Sequence, residues 1–91
     1  MSYYAKPSFS LTTHAIERIK QRLKLQGDVV DIIKQLQILY KNAIFDFQGR
    51  DGTIFLKIND KRYKNMYFVI SSDNVIITVT PISYAKKITL I

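Results

Sequence analysis

The sequence predicts an α+β domain in which two helices precede an antiparallel meander of four or five strands. In residues 11–40 the apolar side chains recur at steps of three and four, which is the period of an amphipathic helix. Residues 43–80 instead form short β-rich runs separated by turn-forming Gly, Asn and Asp. Because helices and strands are segregated along the chain, we expect both helices to pack on one face of the sheet. The length fits a single domain over residues 1–91.

Capping and stop signals bound the two predicted helices. The hydroxyls of Ser10, Thr12 and Thr13 can cap the first helix, and Gly27 is predicted to end it. The apolar face of this helix consists of Leu11, Ala15, Ile16, Ile19 and Leu23. Asp28 can cap the second helix, and Asn42 is expected to end it. The apolar face of the second helix consists of Val29, Ile32, Ile33, Leu36, Leu39 and Tyr40.

Turn residues divide the second half of the chain into strands. Residues 49–52, Gly-Arg-Asp-Gly, have the composition of a β-hairpin loop. Further turns are predicted at 59–62 and 72–74. The strands predicted between these turns are 43–48, 53–59, 63–71 and 75–80, with 83–91 as a short final strand. Residues 3–9 are predicted to form a short edge strand or an arm packed on the core.

Charge and composition narrow the classes of function. The chain carries 14 Lys and Arg residues against 7 Asp and Glu, and both halves share the excess. A folded body with a net charge of +7 attracts polyanions, RNA above all, although the charge could also meet an acidic protein or serve solubility alone. The lack of cysteine excludes disulfides, thiolate catalysis and cysteine-ligated zinc. With no apolar signal-peptide core in residues 1–10 and no apolar run near about 20 residues, we expect a cytoplasmic protein.

The first predicted helix carries a stripe of three basic side chains. His14, Arg18 and Arg22 lie four residues apart and therefore share one side of the helix, beside its apolar face. Metal-independent RNA cleavage needs two proton carriers, one for the 2′-OH and one for the leaving 5′-oxygen, and cations that stabilise the phosphorane. The imidazole could carry one proton and the guanidinium groups could hold the phosphate, with water or another side chain as the second carrier. The alternative, which spacing alone favours, is a surface histidine with solvated arginines.

The last long strand offers two hydroxyl groups. Thr78 and Thr80 are predicted to share one face with Ile76, while Val75, Ile77 and Val79 point to the other face. The hydroxyls could hydrogen-bond a phosphate, or they could reflect only the β-propensity of threonine.

A basic and aromatic segment is the other candidate for contact with RNA. It contains Lys57, Lys61, Arg62, Tyr63, Lys64 and Tyr67, and Lys86 and Lys87 could extend the same surface. Rings can stack on unpaired bases while cations follow the phosphate backbone. Core packing of the rings and protection of an edge strand by the lysines are the alternatives. No cluster of metal ligands and no phosphate-binding glycine loop is present, so we expect neither a metal nor a cofactor.

Residues 11–23, Leu-Thr-Thr-His-Ala-Ile-Glu-Arg-Ile-Lys-Gln-Arg-Leu, contain the pattern T-x-H-A-x-x-R-x-x-x-R. This pattern resembles the first helix of a family of small bacterial and phage domains grouped with the barnase–EndoU–colicin–RelE-like fold of ribonuclease toxins. Residues 75–79, Val-Ile-Ile-Thr-Val, resemble the closing strand of that family. The resemblance implies two N-terminal helices on a curved antiparallel sheet, as in RelE and barnase. It also implies that the active-site residues are His14, Arg18, Arg22 and Thr78.

The chain departs from that family after the second arginine. Where the family usually has R-G-I, this chain has Leu23-Lys24-Leu25, and the glycine is delayed to Gly27. Many relatives of such folds are inactive, or bind protein rather than cut RNA. Membership of the fold therefore does not settle whether this chain is a ribonuclease.

Three functional hypotheses follow. The leading one is a metal-independent endoribonuclease, the toxin of a toxin–antitoxin pair, with RNA as substrate and an acidic antitoxin as partner. The second is a non-catalytic phage- or plasmid-encoded module that binds a host protein through its basic face. The third is a nucleic-acid binder without chemistry. We expect a monomer, or a small homo-oligomer formed through an exposed sheet edge near residues 88–91.

Overall fold

The computed structural model describes residues 9–91 and has an α+β architecture with three helices and one five-stranded sheet. The predicted α+β class is therefore confirmed. The elements are β1 (Ser10–Leu11), α1 (Thr13–Leu23), α2 (Val29–Lys41), β2 (Ile44–Gln48), β3 (Ile54–Lys57), β4 (Met66–Ile70), β5 (Val75–Pro81) and α3 (Tyr84–Leu90). None of the helices within residues 9–91 is both long and apolar enough to cross a membrane.

The sheet has the strand order β1-β5-β4-β3-β2. Strands β2 to β5 form the predicted antiparallel meander, and the hairpin loop at 49–52 closes as expected, with Gly49 N donating to Thr53 O at 2.7 Å. The short β1 pairs parallel with the start of β5, which makes the sheet mixed. The edge strand or arm predicted for residues 3–9 lies almost wholly outside the described residues.

The helix boundaries follow from local hydrogen bonds. Thr12 caps α1 by accepting from Ala15 N at 3.0 Å, and Asp28 caps α2 in a reciprocal capping box with Asp31. Asn42 ends α2 as predicted. The prediction that Gly27 ends α1 is wrong, because Lys24 takes the left-handed conformation (φ 55°) that stops the helix one turn earlier.

One face of the sheet, which we call the helix face, packs against α1 and α2. The core there joins Ile19 and Leu23 of α1, Ile32 and Leu36 of α2, and Phe68, Ile70, Ile76 and Val79 of the sheet. All of these side chains are almost fully buried. Their burial is the main source of stability in a chain of this size.

A β-bulge changes the predicted facing of β5. Val69 pairs with Thr78 but Ile70 pairs with Ile76, so Ile77 is an extra residue. Ile76 and Val79 are consequently both buried on the helix face, and Ile77 is exposed. The expected regular alternation, which put Ile76 beside the threonines, is wrong for this reason. Thr78 and Thr80 do share a face.

The opposite side of the sheet, which we call the second face, has its own smaller core. Phe47, Phe55, Tyr67 and Ile82 are buried there, and Leu90 of α3 packs against them. The final strand predicted at 83–91 is wrong, because Ser83 caps a helix by accepting from Lys86 N at 3.2 Å. The sheet edge expected near 88–91 is wrong for the same reason. The structure instead places an exposed helical Ile88 there.

Candidate functional site

The α1 stripe brings two of its three basic groups into direct contact. Arg18 Nε donates to His14 Nε2 at 3.3 Å, across one turn of the helix. His14 is exposed and Arg18 is half-buried. The predicted neighbourhood of an imidazole and a guanidinium is therefore present.

Arg22 has a structural partner on the sheet. Its Nη1 donates to the carbonyl oxygen of Val79 at 2.6 Å, which joins the last turn of α1 to β5. Val79 lies C-terminal to Val75 and Ile76, the residues of β5 that pair with β1. A guanidinium has five N–H donors, so this bond still leaves donors for an anion. The hydrogen bond of Arg22 therefore links α1 to the sheet. The spacing of Arg22 on α1 could not indicate this structural role.

The two threonines project from the face of β5 that α1 does not cover. Thr80 pairs with Tyr67 and Thr78 with Val69, and both of these β4 residues belong to the second face. The structure therefore does not gather Thr78 with the α1 stripe on one face. The backbone of β5 links them, because Val79, the residue between the threonines, accepts from Arg22.

The basic and aromatic segment of residues 57–67 divides into core and surface. Tyr63 is only 9% exposed and its hydroxyl donates to Leu23 O at 2.7 Å. Burial leaves its ring without a free face, so its predicted role as an RNA-stacking residue is corrected to one of fixing the end of α1. Lys61 and Lys64 are exposed and remain candidates for phosphate contact.

Arg62 is already engaged by a neighbour. Its guanidinium bonds the carboxylate of Asp60 at 2.9 and 3.0 Å and lies 5.1 Å from the centre of the Tyr63 ring. The hydrogen bonds from Arg62 lower the pKa of Asp60 to about 2, so the pair stays charged at neutral pH. Much of the positive field predicted from Arg62 is therefore neutralised locally.

The second face holds a polar cluster that no sequence pattern indicated. The Asp46 carboxylate accepts from Tyr67 OH at 2.6 Å and from Lys87 Nζ at 2.7 Å. The hydrogen bond from Lys87, and then that from Tyr67, lower the pKa of Asp46 below its usual value. Burial and the bond to Asp46 raise the pKa of Tyr67 to about 12. The cluster thus consists of the Asp46 carboxylate, the Tyr67 phenol and the Lys87 amino group. Lys86, the next residue in α3, is exposed.

Pockets on the surface lie away from the α1 stripe. One of about 390 Å³ lies on the second face, beside Asp46 and Lys57. A second of about 380 Å³ lies between the 49–53 hairpin and Leu90, and a third of about 280 Å³ lies between α2 and Arg62. None of these three is lined by His14, Arg18 or Arg22. Within residues 9–91, no group of three or more His, Cys, Asp or Glu side chains could hold a metal ion.

Comparison of the chain with protein-family models, with curated proteins and with solved structures finds no match in any of the three. The site must therefore be interpreted from its own geometry.

Proposed function

We propose that the chain is a metal-independent, ribonuclease-like domain with the helix and sheet arrangement of RelE and barnase. The observation that carries the proposal is the contact of His14 with Arg18, which sets an imidazole beside a permanent cation. The net charge of +7 supports RNA as the substrate. The wider role that we propose is that of a toxin whose basic surface is covered by an acidic antitoxin.

In the proposed reaction, His14 accepts the proton of the ribose 2′-OH as the 2′-oxygen attacks phosphorus. The phosphorus–5′-oxygen bond breaks, the 5′-oxygen takes a proton from water, and a 2′,3′-cyclic phosphate remains. The hydroxide formed from that water takes the proton back from His14. Arg18 stabilises the negative charge that develops on the phosphorane oxygens. Because Nε2 cannot accept a hydrogen bond from Arg18 and the 2′-OH proton at once, the guanidinium first moves from His14 to the phosphate. Arg22 positions the stripe against β5 and offers its remaining donors.

A second candidate function is polyanion binding without chemistry, through RNA or an acidic surface of a host protein. The exposure of His14, together with the position of all three described pockets away from it, favours this alternative. A proton-transfer site usually needs a pocket that holds the substrate and excludes water.

The test is incubation of the purified protein with total RNA and a chelator. Wild-type protein is expected to cleave, and His14→Ala to lose at least about a hundredfold in rate, which is the usual contribution of one proton carrier. Lys20→Ala is the matched control, because Lys20 is an exposed cation on the same helix outside the stripe. It should cleave within about twofold of wild type.

The two candidate functions give different results. Cleavage that His14→Ala leaves unchanged removes the catalytic assignment. Intact RNA that nevertheless binds the wild-type protein, with an affinity that falls steeply with salt, replaces the ribonuclease proposal by the binding module.

A further inference from the structure

The pocket on the second face combines a size, a lining and an opening that suit a small ligand. Its volume of about 390 Å³ lies at the lower end of the range of ligand sites, about 300–1,000 Å³. It opens between the edge strand β2 and the start of α3. The lining residues that matter here are Asp46, Lys57, Tyr67, Tyr84 and Lys87.

One aromatic side chain at this pocket is unusually exposed. Tyr84 is 77% exposed and lies at the start of α3. Exposing a phenol ring to water is unfavourable, so such a ring at a pocket indicates a surface that a ligand covers. A flat ring favours a flat partner, and each of the nucleobases has a face that can stack on it.

The interior of the pocket is charged in a way that suits a nucleotide. Asp46 is ionised and fixed by Tyr67 and Lys87, so it offers acceptor capacity at a defined position. The amino groups of adenine, cytosine and guanine are donors of the matching kind. Lys57 is an exposed cation at the same pocket, so it can meet a phosphate.

The pocket shares the second face of the sheet with the Thr78 and Thr80 side chains. Tyr67 pairs directly with Thr80 of β5, one strand spacing or about 4.8 Å away. The residue next to Thr80 is Val79, whose carbonyl holds Arg22 of the α1 stripe. A single strand could therefore run from the pocket across the Thr80 and Thr78 hydroxyls to the edge of β5.

We propose that this pocket binds an unpaired base of single-stranded RNA, stacked against Tyr84, with its phosphate on Lys57. The inference rests on the proposed function only in taking RNA as the ligand, and it does not need His14 to be catalytic. A base in a duplex cannot enter, because its faces are covered by its neighbours. The pocket therefore selects unpaired RNA, whereas the general positive charge does not.

The test compares a ring with an aliphatic side chain at one exposed position. Affinities of wild type, Tyr84→Phe and Tyr84→Leu are measured for a six-nucleotide oligoadenylate and for linear polyphosphate of equal charge. Loss of one stacked base costs about 5-fold to about 150-fold in affinity, so Tyr84→Leu should bind the oligonucleotide that much more weakly. Tyr84→Phe should bind it as wild type does, and all three proteins should bind polyphosphate equally.

A matched control comes from the other side of the molecule. Val30 is an apolar side chain of α2 that is 59% exposed, and Val30→Ala should leave oligoadenylate affinity unchanged. Equal oligoadenylate affinity of wild type and Tyr84→Leu overturns the pocket, as does an equal loss for polyphosphate. Either result is distinct from failure of the proposed function, which shows only in the cleavage assay of His14→Ala.

Discussion

Replacement of Arg22 by methionine tests whether this arginine stabilises the fold. The Arg22 guanidinium donates to Val79 O at 2.6 Å and so ties α1 to β5. Methionine keeps an apolar stem of similar length, so the substitution removes chiefly the charge and the hydrogen bond. Arg18→Met is the matched control, because the bond that Arg18 makes within residues 9–91 goes to the exposed His14 on its own helix.

The expected magnitude follows from the burial of the bond. A hydrogen bond to a charged group contributes about 1.5–3 kcal/mol to the free energy of unfolding. The contact is partly buried, which supports a value of about 2 kcal/mol for Arg22→Met. In a domain of 60–100 residues, 1 kcal/mol moves the melting temperature by about 4–8 °C, so the loss corresponds to about 8–16 °C. Arg18→Met should cost no more than about 0.5 kcal/mol, as exposed substitutions usually do.

The assay is thermal unfolding followed by circular dichroism, with urea unfolding as a second measure. Melting temperatures of the two variants that agree within about 2 °C would show that the contact with Val79 carries no stability, and the reasoning would fail. If Arg22→Met is much less stable, its loss of RNA cleavage cannot be taken as evidence for a catalytic arginine. The cleavage of Arg18→Met then becomes the informative measurement.

Two further predictions concern the second face and the end of α1. The lowered pKa of Asp46 stabilises the fold above the unfolded-state pKa of about 3.9, and this contribution is lost as the pH falls through the lowered pKa. The difference in melting temperature between wild type and Asp46→Asn should therefore be largest above about pH 4 and shrink below it; a difference that is constant with pH would contradict this. Lys24→Gly should raise the free energy of unfolding by about 0.5–1 kcal/mol, because glycine accepts the positive φ without strain. Lys20→Gly, inside α1, should lower the free energy of unfolding by about 1 kcal/mol, and denaturant midpoints that move the same way in both variants would refute the argument.

For the α1 stripe, the sequence predicted the contact within the helix but not the contact with the sheet. A four-residue spacing is enough to predict that His14 meets Arg18, because helix geometry alone decides it. The same spacing could not reveal that Arg22 bonds Val79, since that depends on where β5 crosses the helix. It also could not show that Tyr63 is buried, because the ring reaches α1 only after β3 and β4 have paired.

The sequence by itself determined the elements whose cause is local: the apolar stripes of α1 and α2, the Asp28 cap, the hairpin at 49–52 and the antiparallel meander. Each depends on a residue period or on hydrogen bonds within a few positions. Only the tertiary structure decided the bulge at Ile77, the helix in place of a final strand, and the cluster of Asp46, Tyr67 and Lys87. Asp46 and Lys87 are 41 residues apart, and no local pattern can encode a contact that exists only once the sheet and α3 have packed together.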